Sequence, residues 1–215
     1  MSKSRPLCRR LNSKGFTVVE LLIATLVFSV ILLIVTSGIL QITRTYYKGV
    51  TESNTQTVAR NVINTISQAI QFDGGIIQPT TGTAPGTSYA FCIGSVRFRY
   101  VLGSELSPSA TGTQTHNALL EDDSPGCAAG PTADIKNLSL SAGTKELLST
   151  NMRLSVLSVT SLGNNLYNVS ARVVYGDDDL LTNPAAANAA CQGFQAGTQF
   201  CSVSQLSTTV LKRVQ

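Results

Sequence analysis

Residues 14 to 20 read K-G-F-T-V-V-E and open an apolar run with no further charge until Arg44. Two kinds of chemistry fit that pattern. One is proteolysis: an ordinary secretory signal places its apolar region before the cut, whereas a cut after Gly15 precedes it and leaves the apolar segment on the product. Phe16 then becomes the new N-terminus and Glu20 the fifth residue. The other is ion pairing, because a carboxylate taken out of water without a partner is costly. A plain signal anchor gives a blander account, with Glu20 resting among headgroups.

The cysteines divide around the same run. Cys8 precedes it, while Cys92, Cys127, Cys191 and Cys201 follow it. Four cysteines in an exported, loop-rich segment read as two disulfides, for which three pairings exist. The pairs nearest in sequence, Cys92–Cys127 and Cys191–Cys201, are favoured. No C-x-x-C occurs, which argues against a zinc ribbon or redox motif. A bridge closing "CQGFQAGTQFC" would either pre-order Phe194 and Phe200 as a surface contact with less entropy to lose, or staple a loop whose two rings tuck into the domain.

Other candidates are weaker. Asp177 to Asp179 and Glu121 to Asp123 offer oxygens for calcium, yet consecutive acids cannot all face one ion in an extended chain and the EF-hand spacing is missing. Solvated loops are expected. His116, the one histidine, lies in a polar stretch and reads as an exposed side chain. With no G-x-S-x-G, H-E-x-x-H or phosphate loop, no catalytic constellation assembles, so no enzyme, cofactor or metal site is expected. Arg97 and Arg99, with Arg153 and Arg172, would make a basic stripe for DNA. Base stacking needs aromatics on that same face, and Phe98 and Tyr100 alternate to the other, so solvated arginines are expected and nucleic acid is not favoured.

The elements that position these residues follow from pattern. From Leu21 to Thr43 there is neither charge nor proline, and about 20 apolar helical residues cross the ~30 Å hydrocarbon core of a bilayer. Five of the sixteen basic residues lie in the first fifteen positions, leaving eleven against twelve acidic ones. The net charge of +4 is therefore an address that keeps the N-terminus cytoplasmic and sends the rest outward. Val58, Val62, Ile66 and Ile70 then recur at helical spacing, and Asp73-Gly74-Gly75 stops the helix. If continuous from Phe16, it is roughly 85 Å long at 1.5 Å per residue. Residues 74 to 88 and 103 to 150 read as loop or irregular surface chain. Val96, Phe98 and Tyr100 mark a half-buried strand. Met152, Leu154 and Val156, then G-N-N, then Val169, Ala171, Val173 and Tyr175 mark a hairpin. A last strand near Val203 to Leu211 closes an antiparallel sheet, covered by the Val58–Ile70 stripe.

Taken together, the basic leader, Gly15, Phe16, Thr17, two apolar residues, Glu20 and the aliphatic helix resemble the class III signal of type IV prepilins and type II secretion pseudopilins. The close match covers about residues 1 to 40, and the remainder shares only the family's architecture. The resemblance implies an α+β fold, a long N-terminal helix on a small antiparallel β domain with disulfides. It divides the chain into a cleaved leader at 1–15, a helix at 16–72 with 21–43 in the membrane or filament core, and an exported domain at 73–215. A prepilin peptidase would cut between Gly15 and Phe16 and methylate the new amine. The single-pass subunit would leave the inner membrane through an assembly platform and its ATPase, for an extracellular or periplasmic filament. Glu20 would pair with the cationic N-terminus of a neighbouring or the same subunit and so register the helices. Many major pilins carry a helix-bending proline at the place of Ser37, followed here by Gly38, and the absence leans toward a minor subunit. The helix "TVARNVINTISQAI" is most similar to J-type pseudopilins and W-type minor pilins. The alternative is a tip-located or membrane-anchored module binding DNA, surfaces or an export substrate.

Overall fold

The structure, a computed structural model, describes residues 15–73, 75–78, 82, 84–107, 116–123, 130–131, 143–193 and 197–213. The chain forms two compact units that meet in sequence at Thr43 and Arg44. A single helix, α1 (Val18–Phe72), contributes residues to both. In the first unit every described residue is exposed. Thr25, Ser29, Ser37 and Thr43 bond back to the helix, Ser29 Oγ donating to the Thr25 carbonyl at 2.7 Å and Ser37 Oγ to the Ile34 carbonyl at 2.8 Å. Hydroxyls satisfied in this way leave the helix surface fit for an apolar solvent.

In the second unit the helix is amphipathic. Val58, Ala59, Val62, Ile63, Ile66 and Ile70 are buried, the stripe expected from their spacing. α1 ends where the Asp73 N–H closes the last turn on the Ala69 carbonyl, at 2.9 Å. The Asp73 carboxylate then accepts from the Ser95 N–H at 3.0 Å and from its hydroxyl at 3.2 Å. This fastens the end of the helix to the turn between β1 (Ser88–Ile93) and β2 (Val96–Val101). That two-residue turn needs glycine first: Gly94 has φ +58°, and a Cβ there would fall 1.8 Å from Asp73 Oδ1.

Two antiparallel sheets face the stripe. The larger has the order β6 (Gly130–Pro131), β1, β2, β5 (Leu119–Asp123) and β7 (Lys145–Glu146). The smaller places β9 (Leu166–Tyr175) between β10 (Ser202–Leu211) and β8 (Met152–Gly163). Ile66 and Ile70 share one apolar cluster with Phe91, Phe98 and Tyr100 of the first sheet and Met152, Leu154 and Val173 of the second. Phe91 stacks on Phe98 with ring centroids 5.0 Å apart. A smaller cluster of Val174, Leu180, Leu181, Ala189 and Cys201 lies on the other side of β9, because successive strand residues point to opposite faces.

Three expectations need correction. The stretch 103–150 is not simply surface chain. It supplies β5, the short pair β3 (Leu106–Ser107) and β4 (His116–Asn117), and buried Leu119, Leu120, Leu147 and Leu148. L-L-E-D-D carries no alternation to betray a strand. Residues 88–93, at the end of a presumed loop and beyond, form the buried strand β1. In β8 the alternation changes phase: Met152 and Leu154 face the core, but Leu157 and Val159 do so after a register shift between Leu154 and Val156. One extra residue moves every later side chain to the other face, which is why Val156 is only half-buried.

Candidate functional site

The residues singled out for cleavage and assembly sit at the start of α1. Phe16 is 83% exposed and precedes the helix. Thr17 is the N-cap, and three residues on Glu20 answers it. Thr17 Oγ1 accepts the Glu20 N–H at 3.3 Å, while Glu20 Oε2 accepts the Thr17 N–H at 3.0 Å and its hydroxyl at 2.8 Å. This is a capping box, in which two end groups of the helix satisfy one another. T-x-x-E before an apolar run was legible as its signal, and the ion-pair reading of Glu20 passed over it. A carboxylate in the first turn also meets the positive end of the helix dipole. Both bonds from Thr17 land on Oε2, so the carboxylate is fastened to the backbone nitrogen that follows Phe16 in the chain.

The remaining candidates lie in the second unit. Cys191 and Cys201 form a disulfide. Cys92 is itself disulfide-bonded, and its expected partner Cys127 lies outside the described residues, as does Phe194. Phe200 does not stand alone. It ends a short 3₁₀ turn (Thr198–Phe200), and its ring meets that of Tyr47 at 5.6 Å, which in turn meets Tyr46 at 5.9 Å. The aromatics directly after the apolar run were the available signal for this cluster.

The arginines are not a solvated stripe. Arg99 and Arg153 are buried. Arg97 holds Asp122 through Nε at 2.9 Å and a second N–H at 3.1 Å, and Arg99 pairs with the same carboxylate. Arg97 and Asp122 are direct cross-strand partners, so Asp122 is a buried acceptor and not part of a wet loop. Arg153 reaches Glu105, Asp178 at 2.5 Å and the Gly176 carbonyl at 3.0 Å. Asp178 therefore opens a 3₁₀ turn (Asp178–Leu180) while neutralising an arginine. Among the described residues no group of three metal-ligating side chains converges. These guanidiniums are committed inside the domain, which removes the face proposed for a nucleic-acid backbone. Arg172 is likewise engaged, donating to the Ala189 carbonyl at 2.7 Å.

An exposed apolar helix segment behind a capped N-terminus therefore precedes, in sequence, an α+β unit that carries a disulfide. Residues 10–36 match the prokaryotic N-terminal methylation motif. That segment is the class III signal of type IV pilins and pseudopilins. The comparison with curated proteins returns no match, and neither does the comparison with solved structures. The motif supports a pilin-like or pseudopilin subunit, and implies processing by a prepilin peptidase and assembly with pilin subunits. The apolar helix and the signal fit membrane anchoring.

Proposed function

We propose that the chain is a minor subunit of a type IV pilus or of a related type II secretion pseudopilus. It is cut after Gly15, methylated at Phe16 and drawn from the inner membrane by the assembly platform, its domain facing outward. The observation that supports this most is the Thr17–Glu20 capping box at the head of a helix that is uncharged and exposed from Leu21 to Thr43. It holds a carboxylate beside the place where the new amine emerges. In apolar surroundings an amine and a carboxylate attract far more strongly than in water, so Glu20 registers one helix against the next. The closed helix at Ser37 and Gly38, without proline, favours a minor role over the bulk of the fibre.

The first test is the mass and N-terminal sequence of the protein from cells with an active prepilin peptidase. A chain beginning at N-methylated Phe16 is expected; a retained leader where other prepilins are processed would sink this reading. With Glu20→Ala, membrane insertion persists and incorporation into filaments fails.

A further inference from the structure

The second unit carries an exposed aromatic group with no obvious use in folding. Tyr46 and Tyr47 are 67% and 46% exposed, and Phe200, 43% exposed, is held against Tyr47. Arg44 and Lys48 flank the tyrosines, one helical turn apart and exposed. Rings left in water at this cost are a sign that the surface meets something else.

The chain itself says what that is. The uncharged run ends at Thr43, and at 1.5 Å per residue Tyr46 and Tyr47 lie only ~5 Å further along the axis. The headgroup layer of a bilayer extends ~5–8 Å beyond the hydrocarbon on each side. Tyrosine is enriched in this layer, where the ring meets acyl carbonyls and the hydroxyl meets water, and Arg44 and Lys48 reach for lipid phosphates from the same turn. Because Phe200 packs on Tyr47 within the second unit, whatever layer holds Tyr47 also holds Phe200, next to the disulfide-bonded Cys201.

We propose that Tyr46, Tyr47 and Phe200, with Arg44 and Lys48, form a membrane-interface seat. Phe200 rests in the outer headgroup layer of the bilayer that the chain's own helix crosses. It is thus a lipid contact before extraction and becomes free for other contacts only afterwards. This rests on the membrane-spanning reading of residues 21–43.

The chain has no tryptophan, so a single introduced one reports alone. The full chain is reconstituted in vesicles of phosphatidylcholine and phosphatidylglycerol, carrying Phe200→Trp, Tyr46→Trp, Leu162→Trp at the far hairpin tip, or Phe28→Trp within the span. Lipids brominated near the carbonyl end of the acyl chain are expected to quench the reporters at 200 and 46 at least about twofold more than that at 162, as an interfacial belt requires. Bromine near the chain terminus quenches only the reporter at 28. Alkylation and mass measurement confirm that the Cys191–Cys201 bond survives in the Phe200→Trp chain, and Tyr46→Trp reads the same layer without touching the loop. If the reporter at 28 is quenched while those at 200 and 46 behave like 162, the seat is overturned and the span stands. If they are shielded from aqueous acrylamide yet untouched by bromolipid, a protein surface covers them and the proposal fails. An unquenched reporter at 28 removes the span and the seat together.

Discussion

Asp122 and Glu20 are both carboxylates, and they are satisfied on different scales. Asp122 is 5% exposed and holds two arginines across a pair of strands. Glu20 is exposed and, among the described residues, is held by Thr17, three residues before it. The same contrast divides the apolar residues of α1: Ile66 is wholly buried and Leu33 is 72% exposed. One unit completes its own charges and core. The other finishes its local hydrogen bonds, and its apolar surface stands exposed.

Asp122→Ala is the harshest way to break that contrast. It leaves Arg97 and the buried Arg99 without their shared anion, and removing one partner of a buried ion pair costs about 3–5 kcal/mol. Urea unfolding of the full chain in detergent, followed by tyrosine fluorescence, should register this as a large drop in midpoint. Glu20→Ala should leave the same midpoint in place. A small effect for Asp122→Ala would mean that water reaches the guanidiniums and that the second unit is less complete than its burial indicates.

The two stretches of α1 sharpen the comparison. Ile66→Ala empties a site shared by the helix and both sheets, with an expected loss of about 2–5 kcal/mol. Leu33→Ala removes the same kind of side chain from a fully exposed surface and should change domain stability by less than about 0.5 kcal/mol. Equal effects on the domain would show that residues 18–43 take part in its fold.

Periodicity made much of this visible. The stripe from Val58 to Ile70, the β8–β9 hairpin with its Asn164 and Asn165 turn at positive φ, and the final strand all follow from local spacing. So does the match to the N-terminal methylation motif, because its residues lie close together in the chain. What stayed hidden depends on contacts distant in the chain. Asp122 reads as one acid among three until β5 brings it opposite Arg97, 25 residues away. Phe200 reads as a lone loop ring until it meets Tyr47. The phase change in β8 is a single-residue bulge that no alternation rule anticipates. Strand β5 was missed because a strand covered on both faces carries no alternating pattern.

The mildest test concerns how dry the second unit is. Tyr100 is fully buried, its hydroxyl donating to the Gly82 carbonyl at 3.1 Å. Burial pushes its phenol up to about 12 from an ordinary value of 10.0. The folded chain therefore keeps a proton that the unfolded chain releases from pH 10 upward, so this contribution to stability is whole below pH 10 and disappears between pH 10 and 12. Tyr100→Phe cannot ionise and loses one hydrogen bond, at a cost of about 1 kcal/mol below pH 10. The stability gap between native chain and variant should accordingly shrink, and could reverse sign, as the pH passes from 9 toward about 12. A gap that stays constant over that range would mean that the Tyr100 hydroxyl reaches solvent. The second unit would then share, at its centre, the openness that distinguishes the first.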